Sequence, residues 1–160
     1  NNLKQEAVKN GVEGDRLIFA PRLTLKEDHL SRIKLADLFI DTLPYNAHTT
    51  CSDALQMGVP VLTCIGKSFT SRVAASLLNA VNLPELIATS QNQYESLAIK
   101  LASNPEEFRI IKDKLVNNLS TAPLYDTQLF TKNLESVYIE MHEKYAKEID
   151  PEDIYLEINK

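Results

Sequence analysis

Short apolar segments alternate with segments of helical periodicity along most of this 160-residue chain, and this alternation restricts the fold more than any other feature. Four segments are predicted to be strands: 16–20 (RLIFA), 36–41 (ADLFID), 59–65 (VPVLTCI) and 84–88 (PELIA). Their largely uninterrupted apolar character is typical of parallel strands that are covered on both faces. The sequence therefore predicts an α/β fold with a doubly wound parallel sheet of the Rossmann-like class.

Local signals place helices between and after these strands. The predicted helices are 3–10, 24–34, 49–57, 70–79, 90–103, 104–118 and 126–147. Thr24 with Glu27, and Ser90 with Gln93, have the spacing of a capping box, and Gly58 is a C-terminal signal for the helix before it.

Residues 1–147 are predicted to form one domain, which includes the long terminal helix at 126–147. Residues 148–160 are predicted to be a tail. The chain opens in a helical pattern without a Met, so we expect a piece of a longer polypeptide.

The composition excludes several functional classes. A net charge of −5 argues against broad binding to nucleic acid, which requires a basic face. No apolar run approaches the roughly 20 residues that span a bilayer, so no membrane partner is expected. The two cysteines, Cys51 and Cys64, lack metal-binding spacing and are predicted to be buried, reduced thiols. With no secretory signal, we expect a cytoplasmic protein.

The segment that follows the second predicted strand begins a helix with His48, Thr49 and Thr50. The first turn of a helix has unpaired amides and a partial positive charge, which together favour an anion. The threonine hydroxyls and the imidazole add donors for phosphate, and Asp53, one turn on, is suited to accept hydrogen bonds from ribose hydroxyls. This set favours a nucleotide, although Thr49 could simply cap a helix whose Asp53 is solvated.

A second group of polar residues lies at Lys26, His29 and Arg32, spaced i, i+3 and i+6 so that they share one helix face. Planar Arg and His side chains can contact a base as well as neutralise a phosphate. A solvated surface is the alternative interpretation. Both groups follow strands, and parallel sheets bind ligands at the carboxyl ends of their strands, so we expect them to converge.

Other candidate motifs are rejected. Gly66, Lys67 and Ser68 resemble the end of a P-loop, but no glycine precedes them at the required distance. The sequence contains no G-x-G-x-x-G motif. Asp37 and Asp41 flank a predicted strand, where Asp41 is expected to cap a turn rather than form a catalytic pair. His142 is expected to be a surface residue.

Several separated segments, in order, resemble the O-linked N-acetylglucosamine transferase family. They are LADLFIDT, NAHTTCSDAL, GVPVLT, SRVAASLL and APLYDTQLFTKNLESVYIEMHEKY, and they include the patterns H-T-T-x-x-D and K-x-x-H-x-x-R. The resemblance covers roughly 1–145. It implies inverting transfer from a UDP-sugar without a metal or other cofactor, a protein acceptor, and the C-terminal half of a two-domain GT-B catalytic region that follows tetratricopeptide repeats.

The resemblance also implies a role for each matching residue. His48, Thr49 and Thr50 would hold the pyrophosphate, and Asp53 would accept from the ribose. These donors would also stabilise the UDP leaving group as negative charge develops.

On the other helix, Lys26 would contact the ribose-phosphate side, His29 would stack on uracil and Arg32 would approach the base edge. Main-chain groups near Thr24 would form hydrogen bonds with the uracil. The resemblance implies no role for Lys67.

The other catalytic half, with its acceptor contacts and proposed acid/base residues, has no counterpart in these residues. We therefore expect a chain that binds UDP weakly and is inactive alone. The alternatives are a non-catalytic nucleotide-binding or scaffold module, and a glycosyltransferase with a different sugar or acceptor.

Overall fold

The computed structural model describes residues 2–156. Three strands form the sheet: β1 (Phe39–Ile40), β2 (Val61–Cys64) and β3 (Ile87–Ala88). Seven α-helices are present in these residues: α1 (Asn2–Lys9), α2 (Lys26–Ile33), α3 (Thr49–Gln56), α4 (Val73–Ala80), α5 (Gln91–Ser103), α6 (Pro105–Leu119) and α7 (Thr127–Ala146). Short 3₁₀ turns occur at Gly14–Arg16, Phe69–Ser71, Pro84–Leu86 and Pro123–Tyr125.

The sheet is parallel, in the order β1-β2-β3. Phe39 is opposite Val61 in the first pair, and Cys64 is opposite Ala88 in the second. Helix α3 crosses from β1 to β2, and α4 crosses from β2 to β3, as parallel neighbours require. All four residues of β2 are buried, which explains why its sequence is apolar without alternation. The α/β, Rossmann-like prediction is confirmed.

The hydrophobic core lies around β2 and the inner faces of α3 to α6. Seven leucines make up much of this core, each no more than 2% exposed: Leu55, Leu62, Leu78, Leu83, Leu86, Leu101 and Leu115. Their burial fixes how α3 sits against the sheet, and therefore where the first turn of α3 points.

Helix termini follow the predicted signals in most places. Gly58 ends α3 with a φ of +76°, in the left-handed region that a C-terminal glycine supplies. The Ser90 Oγ accepts from the Gln93 amide at 3.2 Å, and an Asp126 Oδ1 accepts from the Leu129 amide at 2.8 Å. These caps explain the starts of α5 and α7.

The predicted strand at 16–20 is wrong. These residues join no strand, and Ile18 and Phe19 are 87% and 61% exposed. A strand needs a neighbour for its main-chain groups, and the ladder of β1 runs only to β2, through the Phe39 amide to Pro60 and the Asp41 amide to Leu62. An apolar composition indicated burial but could not supply that neighbour.

Two smaller predictions also need correction. The capping box at Thr24 does not form, because α2 begins at Lys26 with Leu25 as its N-cap and no side-chain cap bond. Thr24 lies one residue too early for its hydroxyl to serve the first turn. The other strands are shorter than predicted: β1 keeps two residues of 36–41, and Pro84–Leu86 is a 3₁₀ turn before β3.

None of the helices within residues 2–156 combines the length and hydrophobicity that a bilayer span requires.

Candidate functional site

A buried carboxylate organises the loop between β1 and α3. Asp41 is 4% exposed, and its Oδ1 accepts from the amides of Thr42 at 2.8 Å and Ala47 at 2.7 Å. Its Oδ2 accepts from the Thr63 hydroxyl, on β2, at 2.6 Å. Both ends of the loop are therefore tied to one side chain, as expected for a residue that caps a turn. Asp37 is exposed, so the two aspartates form no catalytic pair.

The first turn of α3 is open to solvent. His48 is its N-cap residue, with φ −109° and ψ −92°, and its side chain makes no capping hydrogen bond. Thr49 and Thr50 are exposed, whereas Cys51 is buried beneath them. The free amides and hydroxyls of this turn are consequently accessible to an anion from outside.

Aromatic side chains and a carbonyl hold the His48 ring. Tyr45 stacks on it with ring centroids 5.1 Å apart, and Phe69 meets it edge-on at 6.1 Å. The His48 Nε2 lies 3.4 Å from the Thr70 carbonyl, which also accepts from the Asn46 amide at 3.1 Å. The loop before α4 thus contributes to the orientation of this imidazole.

Helix α2 packs beside α3 and brings the two predicted groups of polar residues together. The His29 Nε2 lies 3.9 Å from an Asp53 carboxylate oxygen, and their side chains are 34% and 13% exposed. The face of α2 that carries His29 therefore meets the side of α3 that carries Asp53. His29 and Asp53 therefore lie at the centre of the candidate site.

The remaining predicted residues lie around this centre. Lys26 is exposed in the first turn of α2. Arg32 is already engaged: it donates to the Pro21 carbonyl at 2.5 Å, and its Nη2 lies 3.3 Å from the His29 Nδ1. Thr24 is exposed in the turn before α2, and no hydrogen bond within residues 2–156 joins its side chain to the other members.

The sequence was compared with models of known protein families to identify the family of this chain. The sequence model of glycosyl transferase family 41 matches residues 1–134, which is most of the chain. The chain belongs to glycosyl transferase family 41. The family resemblance predicted from its separated motifs is confirmed.

Family 41 relatives share about a third of their aligned residues with this chain. A probable UDP-N-acetylglucosamine–peptide N-acetylglucosaminyltransferase SPINDLY from Petunia hybrida is 37% identical over 85% of this chain and 15% of its own length. The corresponding SEC protein of Arabidopsis thaliana is 38% identical over 84% of this chain and 14% of its own length. The UDP-N-acetylglucosamine–peptide N-acetylglucosaminyltransferase of Caenorhabditis elegans is 31% identical over 90% of this chain and 12% of its own length.

A solved structure shares the fold. A mutant of the Thermobaculum terrenum O-GlcNAc transferase superposes with a TM-score of 0.79 at 32% identity, covering 88% of this chain and 27% of that one. The likeness confirms the predicted correspondence to a GT-B glycosyltransferase. The chain spans 15% or less of the length of the three curated relatives named above.

Two tyrosines support the candidate site and were missed by sequence reasoning. The Tyr94 hydroxyl donates to the Asp41 carbonyl at 2.5 Å, and burial, with the charge of Asp41, raises the pKa of Tyr94 to about 12. The Tyr125 hydroxyl donates to the Ser52 carbonyl of α3 at 2.9 Å, and burial raises its pKa too. Each partner lies more than 50 residues away in sequence, so no local pattern could reveal these contacts.

The rejected P-loop candidate has a packing role. A Cβ on residue 66 would clash with the Ser71 side chain, so the close approach of these two segments requires glycine at this position. The Ser71 hydroxyl is paired with Ser68, at 2.9 Å to its Oγ and 3.0 Å from its amide. Hydrogen bonds between its own serine side chains close the turn, and Lys67 is exposed.

Proposed function

We propose that this chain is the UDP-binding half of an inverting protein O-glycosyltransferase, with UDP-N-acetylglucosamine as donor and Ser or Thr of proteins as acceptor. The observation that carries the proposal is the open first turn of α3, with His48 at its start and the basic face of α2 alongside. The plant and nematode relatives are named as UDP-N-acetylglucosamine–peptide N-acetylglucosaminyltransferases, which supports the choice of this donor and of a peptide acceptor.

The α3 side of the site would hold the diphosphate. Free amides of the first turn, the hydroxyls of Thr49 and Thr50, and the His48 imidazole supply donors without a metal. The negative charge of Asp53 would repel a phosphate, but its carboxylate can accept hydrogen bonds from ribose hydroxyls. The same donors would stabilise the charge that develops on the UDP leaving group as the glycosidic bond breaks.

The α2 side would hold the nucleoside. Lys26, exposed at the helix start, can reach the ribose-phosphate portion, and the half-exposed His29 ring offers a surface for uracil. Arg32 binds the Pro21 carbonyl, so we propose that it steadies the loop that leads to Thr24, where main-chain groups would read the base edge. An acceptor polypeptide would be positioned by parts of the enzyme outside these residues.

A titration with UDP, followed by NMR, tests the proposal. We expect shifts at His48, Thr50 and Asp53, and a Kd about 10- to 150-fold weaker for His48→Ala, because a charge-assisted hydrogen bond contributes about 1.5–3 kcal/mol. His142→Ala, which removes an exposed histidine on α7, is the matched control and should leave the Kd unchanged.

The donor can be identified in the same experiment by comparing UDP-glucose with UDP-N-acetylglucosamine. No shift with any uridine nucleotide at millimolar concentration would identify a non-catalytic scaffold module and overturn the proposal. Tighter binding of UDP-glucose would point to a glycosyltransferase with a different sugar.

A further inference from the structure

The His48 ring has one nitrogen committed to the main chain. Its Nε2 lies 3.4 Å from the Thr70 carbonyl oxygen. A carbonyl oxygen can only accept, so a hydrogen bond there requires the ring proton on Nε2. Within residues 2–156 no hydrogen bond reaches the Nδ1 of this ring, and His48 makes no capping bond to its own helix.

The Thr70 carbonyl lies in a turn that is held by several hydrogen bonds. It also accepts from the amide of Asn46, a residue that is fully buried. The turn that carries it is closed by the buried Ser71, whose carbonyl accepts from the Gly66 amide at 2.8 Å and whose hydroxyl donates to the Ser68 carbonyl at 2.9 Å. The carbonyl therefore has little freedom to turn away from the imidazole.

We infer that the Thr70 carbonyl fixes the proton of His48 on Nε2, so that His48 donates to a bound phosphate through Nδ1 only as an imidazolium. This inference rests on the proposed function, because it concerns how the same site binds its diphosphate. Neutral His48 would present an acceptor lone pair at Nδ1, which repels a phosphate oxygen. Binding of the diphosphate therefore takes up a proton from solvent, at pH values where the free ring is neutral.

Among the residues that the structure describes, no side chain near His48 supplies a negative counter-charge for a protonated ring, so the bound ligand has to supply it. The charged and titratable groups on the adjoining segments are Asp41 and Tyr45 before α3, Cys51 and Asp53 on α3, Lys67 and Arg72 before α4, and Lys26, Glu27, Asp28, His29 and Arg32 on α2. Asp41 is bonded to three donors and Asp53 faces His29, and no carboxylate within residues 2–156 forms an ion pair with the His48 ring. An arriving phosphate supplies the missing counter-charge.

Ring ¹⁵N NMR of the three histidines tests the inference in the full 160-residue chain. The probe is UDP-N-acetylglucosamine, whose two phosphates are both esterified and do not titrate near neutral pH, so any proton taken up belongs to the protein. In the free protein at mildly alkaline pH, we expect a neutral His48 ring that carries its proton on Nε2. At saturation, we expect both ring nitrogens of His48 to be protonated and His142 to be unchanged.

Calorimetry in buffers of different ionisation enthalpy gives a second readout. We expect uptake of up to about one proton per bound ligand in the wild type, and its loss in His48→Gln but not in His142→Gln. Ser71→Ala, which loosens the turn that carries the Thr70 carbonyl, should give mixed His48 tautomers, whereas Ser76→Ala, at an exposed serine on α4, should not.

The possible outcomes separate this inference from the proposed function. A free His48 with its proton on Nδ1, or a neutral His48 in the saturated complex, overturns the inference while leaving nucleotide binding intact. A wild-type chain that does not bind the probe at millimolar concentration overturns the proposed function, and the proton uptake with it. Unchanged proton uptake in His48→Gln assigns the proton to another group and also overturns the inference.

Discussion

At the scale of single residues, Cys51 shows how burial can reverse a helix effect. A thiol in the first turn of a helix ordinarily ionises more easily, because the helix N-terminus favours negative charge. Here, burial raises the pKa of Cys51 from 9.0 to about 12, and the nearby charge of Asp41 acts in the same direction. The residue beneath the candidate anion site is therefore a protonated, inert thiol rather than a nucleophile.

This shift predicts a loss of stability in alkaline solution. Above pH 9.0 the unfolded chain releases the Cys51 proton, whereas the folded chain keeps it until about pH 12. The unfolded state then binds fewer protons, so the free energy of unfolding falls as pH rises, by up to about 1.4 kcal/mol per pH unit. Urea unfolding of the wild type and of Cys51→Ala across this range measures the effect. An equal slope in the two proteins would contradict the assignment to Cys51.

At the scale of elements, α3 is a short helix held at both ends. The Asp41 carboxylate binds the Ala47 amide just before the helix begins, and Gly58 turns the chain away just after it ends. The buried face of α3 contributes Cys51, Ala54 and Leu55 to the core. With ends and face fixed, the amides of the first turn have one orientation relative to the sheet, which is what an anion site requires.

The left-handed conformation of Gly58 gives a prediction for this element. Gly58→Ala should lower the free energy of unfolding by about 1–2 kcal/mol, because a Cβ is unfavourable at positive φ. Space is not the reason: the added Cβ would lie 3.6 Å from a Val116 methyl, an ordinary contact.

Urea denaturation of Gly58→Ala and Gly14→Ala provides the measurement and its control. Gly14 has a comparable contact, 3.5 Å from the Lys4 Cβ, but no positive φ, so its substitution should cost less. Equal losses in the two variants would show that backbone conformation is not what selects glycine at position 58.

At the scale of the whole molecule, the candidate site is built by α2, by the first turn of α3 and by the loop before α4. Its inner side is well ordered by the Asp41 and Thr70 networks, whereas its outer side is open. Tyr45 and Phe69, at the rim, are 61% and 78% exposed. Within the described residues, no segment covers this outer side of the candidate site.

This openness predicts that the 160-residue chain alone does not transfer sugar. Catalysis needs an oriented acceptor and exclusion of water, which an open half-site does not provide. We expect UDP-N-acetylglucosamine to bind while mass spectrometry of a Ser/Thr-containing acceptor peptide detects no glycosylated product. Product formation by the purified chain, at a rate that falls with His48→Ala but not with His142→Ala, would contradict this expectation.

Local sequence signals predicted a large part of this structure. The fully buried β2 and the ends of α3, α5 and α7 followed from apolar runs and caps. The convergence of the His48 and His29 segments was predicted from two strand ends, but residues 16–20 form no strand, and the packing of α2 against α3 brings the segments together instead. The predictions of a strand at 16–20 and of a capping box at Thr24 were wrong, because each feature depends on a partner at a definite distance in space. The hydrogen bond from Arg32 to the Pro21 carbonyl could not be predicted from the sequence either, because it joins residues 11 apart across a loop.

The sequence by itself determined the α/β class, the family and the residue types available for an anion and a ribose, because periodicity, caps and motifs are encoded locally. Only the tertiary structure decided that the first turn of α3 is open, that His29 faces Asp53, and that the Thr70 carbonyl holds the His48 ring. These are contacts between segments far apart in the chain. Their geometry is set by how the core packs, and no local pattern records it.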